Sequence, residues 1–431
     1  MKVVLPEDRI ALSELPAQAF ELDVVSFESA DSGQRLNIMN DLRHQPDGIR
    51  SYSAHIGVCK HGSPDFTLIT LPDVGVGKAV YTRSLSCSEA VRFDRKNTAR
   101  GDIQAICVIS KNANVFTPNG ARDIETIAQR IEATTGIPAT NQIISCTGVI
   151  GVPLPMDKIV PAIDQAAGQL TEGTLEESAT AILTTDRQAK VASAEFNGIK
   201  LCGFAKGAGM IEPNMATMLA YFFTDAQISK DDLEKVLKRA ADKTFNAISV
   251  DTDTSTSDTV AVVSTNKQPM TANDLITFER ALTAMFFKLA RDIISQAEGA
   301  NYLIEANVSL PTSVDDARIF AKKIINSPLI KTAVHGADPN WGRVVMAVGK
   351  PTDRFTLGEI QPQELRITIM DEVVFEYGTA IPLDLGKLSQ KMKAAKTVTI
   401  DVAIGSPVYS AKAWGCDLSE SYIKINAEYT T

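Results

Sequence analysis

The middle of the chain constrains the fold most. Lys190–Ala205 alternates apolar and polar residues around Asn197-Gly198, and Met218-Leu219-Ala220-Tyr221-Phe222-Phe223 is an apolar run of strand length. An Asn-Gly pair between alternating segments predicts a tight hairpin, and the apolar run predicts a buried strand. Between them lies Lys206-Gly207-Ala208-Gly209-Met210-Ile211-Glu212-Pro213-Asn214-Met215-Ala216-Thr217, loosened by glycine. The hairpin therefore delivers Lys206 and the glycines to a polar junction at the chain's midpoint, and a strand leaves it.

Elsewhere the spacing is mixed. Ile103–Ser110, Gln142–Cys146, Val260–Ser264, Tyr302–Leu310, Leu365–Met370, Val373–Tyr377 and Thr397–Ala403 read as strands. Asp123–Thr134 carries Ile124, Ile127, Ala128 and Ile131 on one helical face and stops at Gly136 and Pro138. Met156–Leu170, Leu175–Leu183 and Ala272–Ile294 also read as helices. Ser229 with Asp232 three residues on starts another, which runs to about Phe245. Gly75-Val76-Gly77-Lys78 is expected as a turn between short strands at Phe66–Leu71 and Ala79–Arg83. It lacks the spacing of a phosphate loop. His335–Arg343 reads as a turn-rich loop before Val344–Val348, and Ile423–Thr431 as a terminal strand. Hairpins rather than strict βαβ alternation favour an α+β fold with layered mixed sheets. Residues 1–52 are expected to be an N-terminal extension laid over the surface.

A net charge of −9 argues against nucleic acid or an anionic membrane as partner. Six cysteines without a CxxC pair fit a reducing compartment. The start lacks the apolar region of a signal peptide, and no apolar run approaches the ~18 residues of a membrane span. The expectation is a cytoplasmic protein. Four scattered histidines make no metal site, and Asp251, Asp253 and Asp258 do not match a calcium loop. The hydroxyl-rich stretch Ser249–Thr259 suits a solvated loop or, wedged between a helix and a strand, the lining of a pocket.

Thr217 has two readings. It can be a β-branched residue opening a strand. If the Ala216–Thr217 bond breaks, it becomes an N-terminus whose hydroxyl is a nucleophile and whose α-amine, with a pKa of about 7.7–8.0, is the base.

Six segments then carry a likeness. They are Ser145–Gly151, Thr184-Thr185-Asp186, Lys206 through Leu219, Asp251–Thr259, Gly336–Arg343 and Asn426–Thr431. In this order, over roughly residues 55–431, they resemble the ornithine acetyltransferase (glutamate N-acetyltransferase) family. The resemblance implies a fold of the ornithine acetyltransferase or self-cleaving aminopeptidase type with two tightly associated lobes. It also implies a precursor cut at Ala216–Thr217, with an α chain whose body is 53–216 and a β chain of 217–431. Thr217 would take acetyl from N-acetylornithine and pass it to glutamate by a ping-pong route. Thr147 and Gly148 would form the oxyanion hole, and Thr184, Lys206, Thr217, Glu298, Asn426 and Thr431 would bind substrate. No cofactor is implied, though acetyl-CoA is left open as an alternative acyl donor, as is an α2β2 assembly.

The chain departs from the family pattern at Arg187-Gln188-Ala189 and at Gln296–Tyr302. That puts the acceptor, and with it the donor acyl group, in question. Three alternatives stand beside the main reading: a self-cleaving aminopeptidase or amidase, a paralogue acting on a modified amino acid, and a silent scaffold.

Overall fold

The computed structural model describes residues 25–58, 62–212, 218–351 and 360–428. Ala216, Thr217 and Thr431 lie outside the described residues.

Asn197 and Gly198 both take positive φ, 47° and 76°, the pairing that a tight two-residue hairpin turn needs. They join the antiparallel strands Lys190–Phe196 and Ile199–Lys206. The strand Leu219–Ala226, buried at every position, runs antiparallel to Ile199–Lys206 and parallel to Thr259–Gln268. Leu219 is level with Lys206 on one side and Thr259 on the other. Residues on either side of the polar junction therefore meet at one end of the sheet.

That sheet has nine strands. From Ile199–Lys206 it continues through Leu219–Ala226, Thr259–Gln268, Phe66–Tyr81 and Asp102–Asn112 to Gln142–Val149. Laid flat, five steps of ~4.8 Å would separate the outer two of these six by about 24 Å. Yet Lys206 Nζ lies 2.7 Å from Thr147 Oγ1. The sheet must fold back on itself, and the long strand Phe66–Tyr81 is where it does so. Its register against Asp102–Asn112 slips between Thr70 and Gly75. A Cβ on Gly75 would stand 2.2 Å from the Ser264 carbonyl oxygen, and one on Gly77 2.6 Å from Ile103 Cγ1. These glycines permit close approach inside a strand. The turn expected at Gly75–Lys78 is not there, and Phe66–Leu71 and Ala79–Tyr81 belong to one strand, which ends before Thr82 and Arg83.

Folding back stacks the two halves face to face. Ile69, Ile106 and Ile143 from one half pack with Phe204, Tyr221 and Val263 from the other. Helices Glu89–Arg100, Gly120–Thr135 and Met156–Ala167 cover one outer face, and Lys230–Lys243 and Ala272–Ser295 the other. The result is a helix–sheet–sheet–helix stack. A six-stranded sheet, built between Leu303–Leu310 and Tyr409–Cys416, forms the second body. Trp414 joins the two: its ring meets Phe287 at 5.1 Å and its Nε1 donates to Glu305.

Three further expectations change. Residues 25–52 do more than lie over the surface, since Phe27 and Ile38 are buried in the core under Ala272–Ser295. The turn-rich loop expected over His335–Arg343 ends sooner, since Trp341–Val348 is a helix, capped by Asn340 Oδ1 accepting from Arg343 N. Val344, Ala347 and Val348 are its buried face, a spacing of three and four that fits a helix. The described part of the terminal segment is the helix Glu420–Glu428, not a strand. Ile423 there is 62 % exposed, so its alternation with Ile425 buries nothing. The helices Glu89–Arg100 and Leu385–Ala394 and the strand Tyr409–Cys416 were not apparent from sequence spacing.

Candidate active site

A cavity of about 220 Å³ opens at the strand ends around the central junction. Thr147, Gly148, Thr184 and Lys206 line one end; Gly209, Asp251, Asp253, Glu298, Tyr422 and Asn426 line the other. Met218 and Asp258 lie on the wall as well.

Thr147 and Gly148 sit at the end of Gln142–Val149, opposite Ser110 and Lys111. Gly148 has φ +133°, and a Cβ there would stand 2.2 Å from the Lys111 carbonyl carbon. Only glycine fits that bend. The Lys206 ammonium donates to Thr147 Oγ1 at 2.7 Å and reaches Thr184 Oγ1 at 3.5 Å. An ammonium only donates, so the Thr147 hydroxyl keeps its own proton for another acceptor.

Behind Lys206 lies a buried ion pair. Asp186 and Lys190, both with fully buried side chains, meet at 2.6 Å. Asp186 Oδ1 also accepts from the Gly207 amide at 2.6 Å, and Oδ2 from the Thr184 amide at 3.3 Å. Burial alone would raise the Asp186 carboxyl, but Lys190 and Lys206 outweigh it and hold the group below its usual range. Burial pushes Lys206 below the ordinary lysine range, partly countered by Asp186 and Asp258. Burial also lifts the Asp258 carboxyl well above its usual range, only partly offset by Ser255 and Lys206. Lys111 secures the neighbouring loop by donating to the Leu183 and Thr184 carbonyls.

The opposite end is acidic. Asp251 accepts from the Met210 and Ile211 amides at 2.6 and 2.7 Å, fixing the chain that leads into the junction. Tyr422 hydroxyl donates to Asp251 at 3.2 Å, and burial with the Asp251 charge pushes the phenol up. Asn426 Nδ2 donates to Glu298 Oε2 at 2.9 Å. Glu298 lies so close over Gly209 that a Cβ there would meet Oε2 at 2.4 Å. Tyr422 and Asn426 are four apart on one helix, so one face presents both.

The structure thus brings together Thr147, Gly148, Thr184, Lys206, Glu298 and Asn426. Asp251–Asp258 lines the cavity, the second of the two readings open for that stretch. Sequence reasoning missed Tyr422, Asp186, Lys190 and Lys111 as parts of the site, although Asp186 lay in a segment that carried the family likeness and Lys190 opened the hairpin segment. Arg187, Gln296 and Asn301, where the chain departs from the family pattern, are not among the described lining residues. Among the described residues, no group of three or more His, Cys, Asp or Glu side chains is placed to hold a metal ion. No described helix is long and apolar enough to cross a membrane.

Fold and cavity define a four-layer α+β protein with a charge-divided polar cavity at the ends of its central strands. Residues 50–431 match the family model of the ArgJ family. The arginine biosynthesis bifunctional protein ArgJ of Rhodococcoides fascians is 38 % identical, with 90 % of this chain and 94 % of that protein aligned. ArgJ 2 of Nostoc sp. is 40 % identical over 90 % of this chain and 98 % of its own length. The glutamate N-acetyltransferase Oat2 of Streptomyces clavuligerus is 35 % identical over 90 % and 98 %. The chain belongs to the ArgJ family.

Proposed function

We propose that this protein moves an acetyl group from N-acetylornithine to glutamate, using Thr217 as an N-terminal nucleophile freed by self-cleavage. The contact between Lys206 and the Thr147 hydroxyl carries the reading. It lies on a cavity wall shared with Met218, the residue bonded to Thr217.

In the maturation step, the Thr217 hydroxyl oxygen adds to the Ala216 carbonyl. The C–N bond breaks as nitrogen takes a proton, leaving an ester. That break has already freed the Thr217 amine, and water then cleaves the ester to release the Ala216 carboxylate and the Thr217 hydroxyl. In turnover that amine takes the hydroxyl proton while oxygen attacks the acetyl carbonyl. The ornithine amine leaves with the proton, and the acetyl remains on oxygen. Glutamate's amine attacks this ester, and its proton returns to restore the hydroxyl. Thr147 Oγ1–H and the Gly148 amide are the donors for the oxyanion of each tetrahedral intermediate. The basic end suits a substrate carboxylate and the acidic end an ammonium, which an amino-acid substrate supplies together. The exchange needs no cofactor, and acetyl-CoA serves at most as a second acyl donor. The two product chains remain paired as αβ units that assemble into α2β2. The five described cysteines are free thiols, in keeping with a cytoplasmic enzyme.

The test is an intact mass under denaturing conditions together with an acetyl-transfer assay lacking acetyl-CoA. Two fragments summing to the precursor plus one water, the second starting at Thr217, and N-acetylglutamate formation are expected. Thr217→Ala should abolish both. A single 46.4 kDa chain without transfer would overturn the reading.

A further inference from the structure

We infer that Asp186, paired with Lys190, is the positioning element of this site: it holds the Lys206 ammonium against the Thr147 hydroxyl and ties together the two loops that carry Thr184 and Gly207. This rests on the proposed acetyl transfer for its catalytic meaning, though not for its geometry.

Asp186 gathers three donors from three places. Lys190 Nζ comes from the start of a strand, the Gly207 amide from the residue after Lys206, and the Thr184 amide from the neighbouring loop. Removing the carboxylate takes one tie from each loop at once. It also leaves buried ammonium groups without their nearest counter-charge, and a buried charge without a partner is costly. Lys206 is faced by Asp186 and Lys190, by Lys111 from Asp102–Asn112, and by Asp258 just before Thr259–Gln268. Asp258 also favours the charged Lys206, but burial lifts its carboxyl well above the usual range while Asp186 is held below it, so Asp186 is the anion Lys206 depends on most. Lys190 opposes it, since a second cation close by favours loss of the Lys206 proton. The pair thereby sets how long Lys206 stays charged as pH rises.

Two substitutions make opposite predictions. Asp186→Asn keeps shape and removes the anion, so Lys206 should lose its proton about one pH unit or more lower. Lys190→Met keeps length and removes the competing cation, so Lys206 should hold its proton to higher pH. The Lys206 titration is read directly by NMR on protein carrying 13C at lysine Cε, the signal being assigned by its loss in Lys206→Arg. In the transfer assay the alkaline limb of kcat/KM should move down in Asp186→Asn and up in Lys190→Met. Loosened packing would lower activity without moving the limb in opposite senses. An unchanged Lys206 titration in both variants, or shifts of the same sign, would overturn the inference. Should Asp186→Asn not fold, Lys190→Met alone still decides. If the wild-type protein transfers no acetyl group, the proposed function falls while the NMR titration still judges this assignment.

Discussion

Gly209→Ala offers a way to disturb substrate contact without disturbing the fold. An added Cβ would stand 2.4 Å from Glu298 Oε2 and 2.7 Å from its Cδ, well inside van der Waals distance. The obstacle is the far end of a flexible side chain, and Gly209 is not in the left-handed region, so the backbone has no reason to move. Glu298 must swing away instead, and the 2.9 Å bond from Asn426 Nδ2 breaks. The Glu298 backbone stays anchored, its amide donating to the Ala208 carbonyl at 2.9 Å. If Glu298 receives a substrate ammonium, a charged hydrogen bond of about 1.5–3 kcal/mol is lost, or roughly ten- to a hundredfold in KM. Stability should change by under about 1 kcal/mol, as for a surface substitution. Steady-state kinetics with N-acetylornithine and glutamate, alongside a urea unfolding curve, give both numbers. An unchanged KM for both substrates would refute the placement of Glu298 at the substrate.

Thr147→Val keeps the volume and removes the hydroxyl; processing and transfer should both slow, transfer by ~10²–10³, measured by mass spectrometry and kcat. Gly148→Ala faces the Lys111 backbone at 2.2 Å and a φ of +133°, so it should lose about 3 kcal/mol or more in urea unfolding. Asp94 is buried, its Oδ1 accepts from the Ile144 amide at 2.7 Å, and burial raises its carboxyl well above the usual range. The fold therefore keeps a proton that the unfolded chain releases above pH ~3.9, so this residue's contribution to stability falls as pH rises from there. Asp94→Asn should raise the melting temperature at pH 7, and the gain should vanish near pH 4.

The centre of the site was legible because its signals are local. Asn197-Gly198 specifies a hairpin, the run to Phe223 specifies a buried strand, and together they put Lys206 beside Leu219. The meeting of Lys206 with Thr147 was accessible only through family likeness. It depends on the strand Phe66–Tyr81 folding the sheet over, and that bend rests on Gly75 approaching Ser264, nearly two hundred residues away. Asp186 and Lys190 stand four apart, a spacing that on a helix means a surface pair. Here they straddle a loop and a strand start, and they are buried. Tyr422 was hidden because Ile423 and Ile425 alternate like a strand while the segment coils into a helix. No position before it marks the tyrosine as part of a cavity.

The strand Leu219–Ala226 has neighbours on both sides: Ile199–Lys206, which precedes the junction, and Thr259–Gln268, which follows it. Severing the chain at Ala216–Thr217 would leave that three-strand seam intact, each product contributing to it. Neither fragment holds the whole nine-stranded sheet, so folding has to come first and scission second. The order leaves a kinetic trace. An uncut chain can refold at a rate independent of its concentration. Once cut and fully denatured, the two pieces have to find each other, and recovery becomes a second-order process that slows on dilution. Maturation would thus turn a reversible molecule into one whose assembly history cannot easily be repeated.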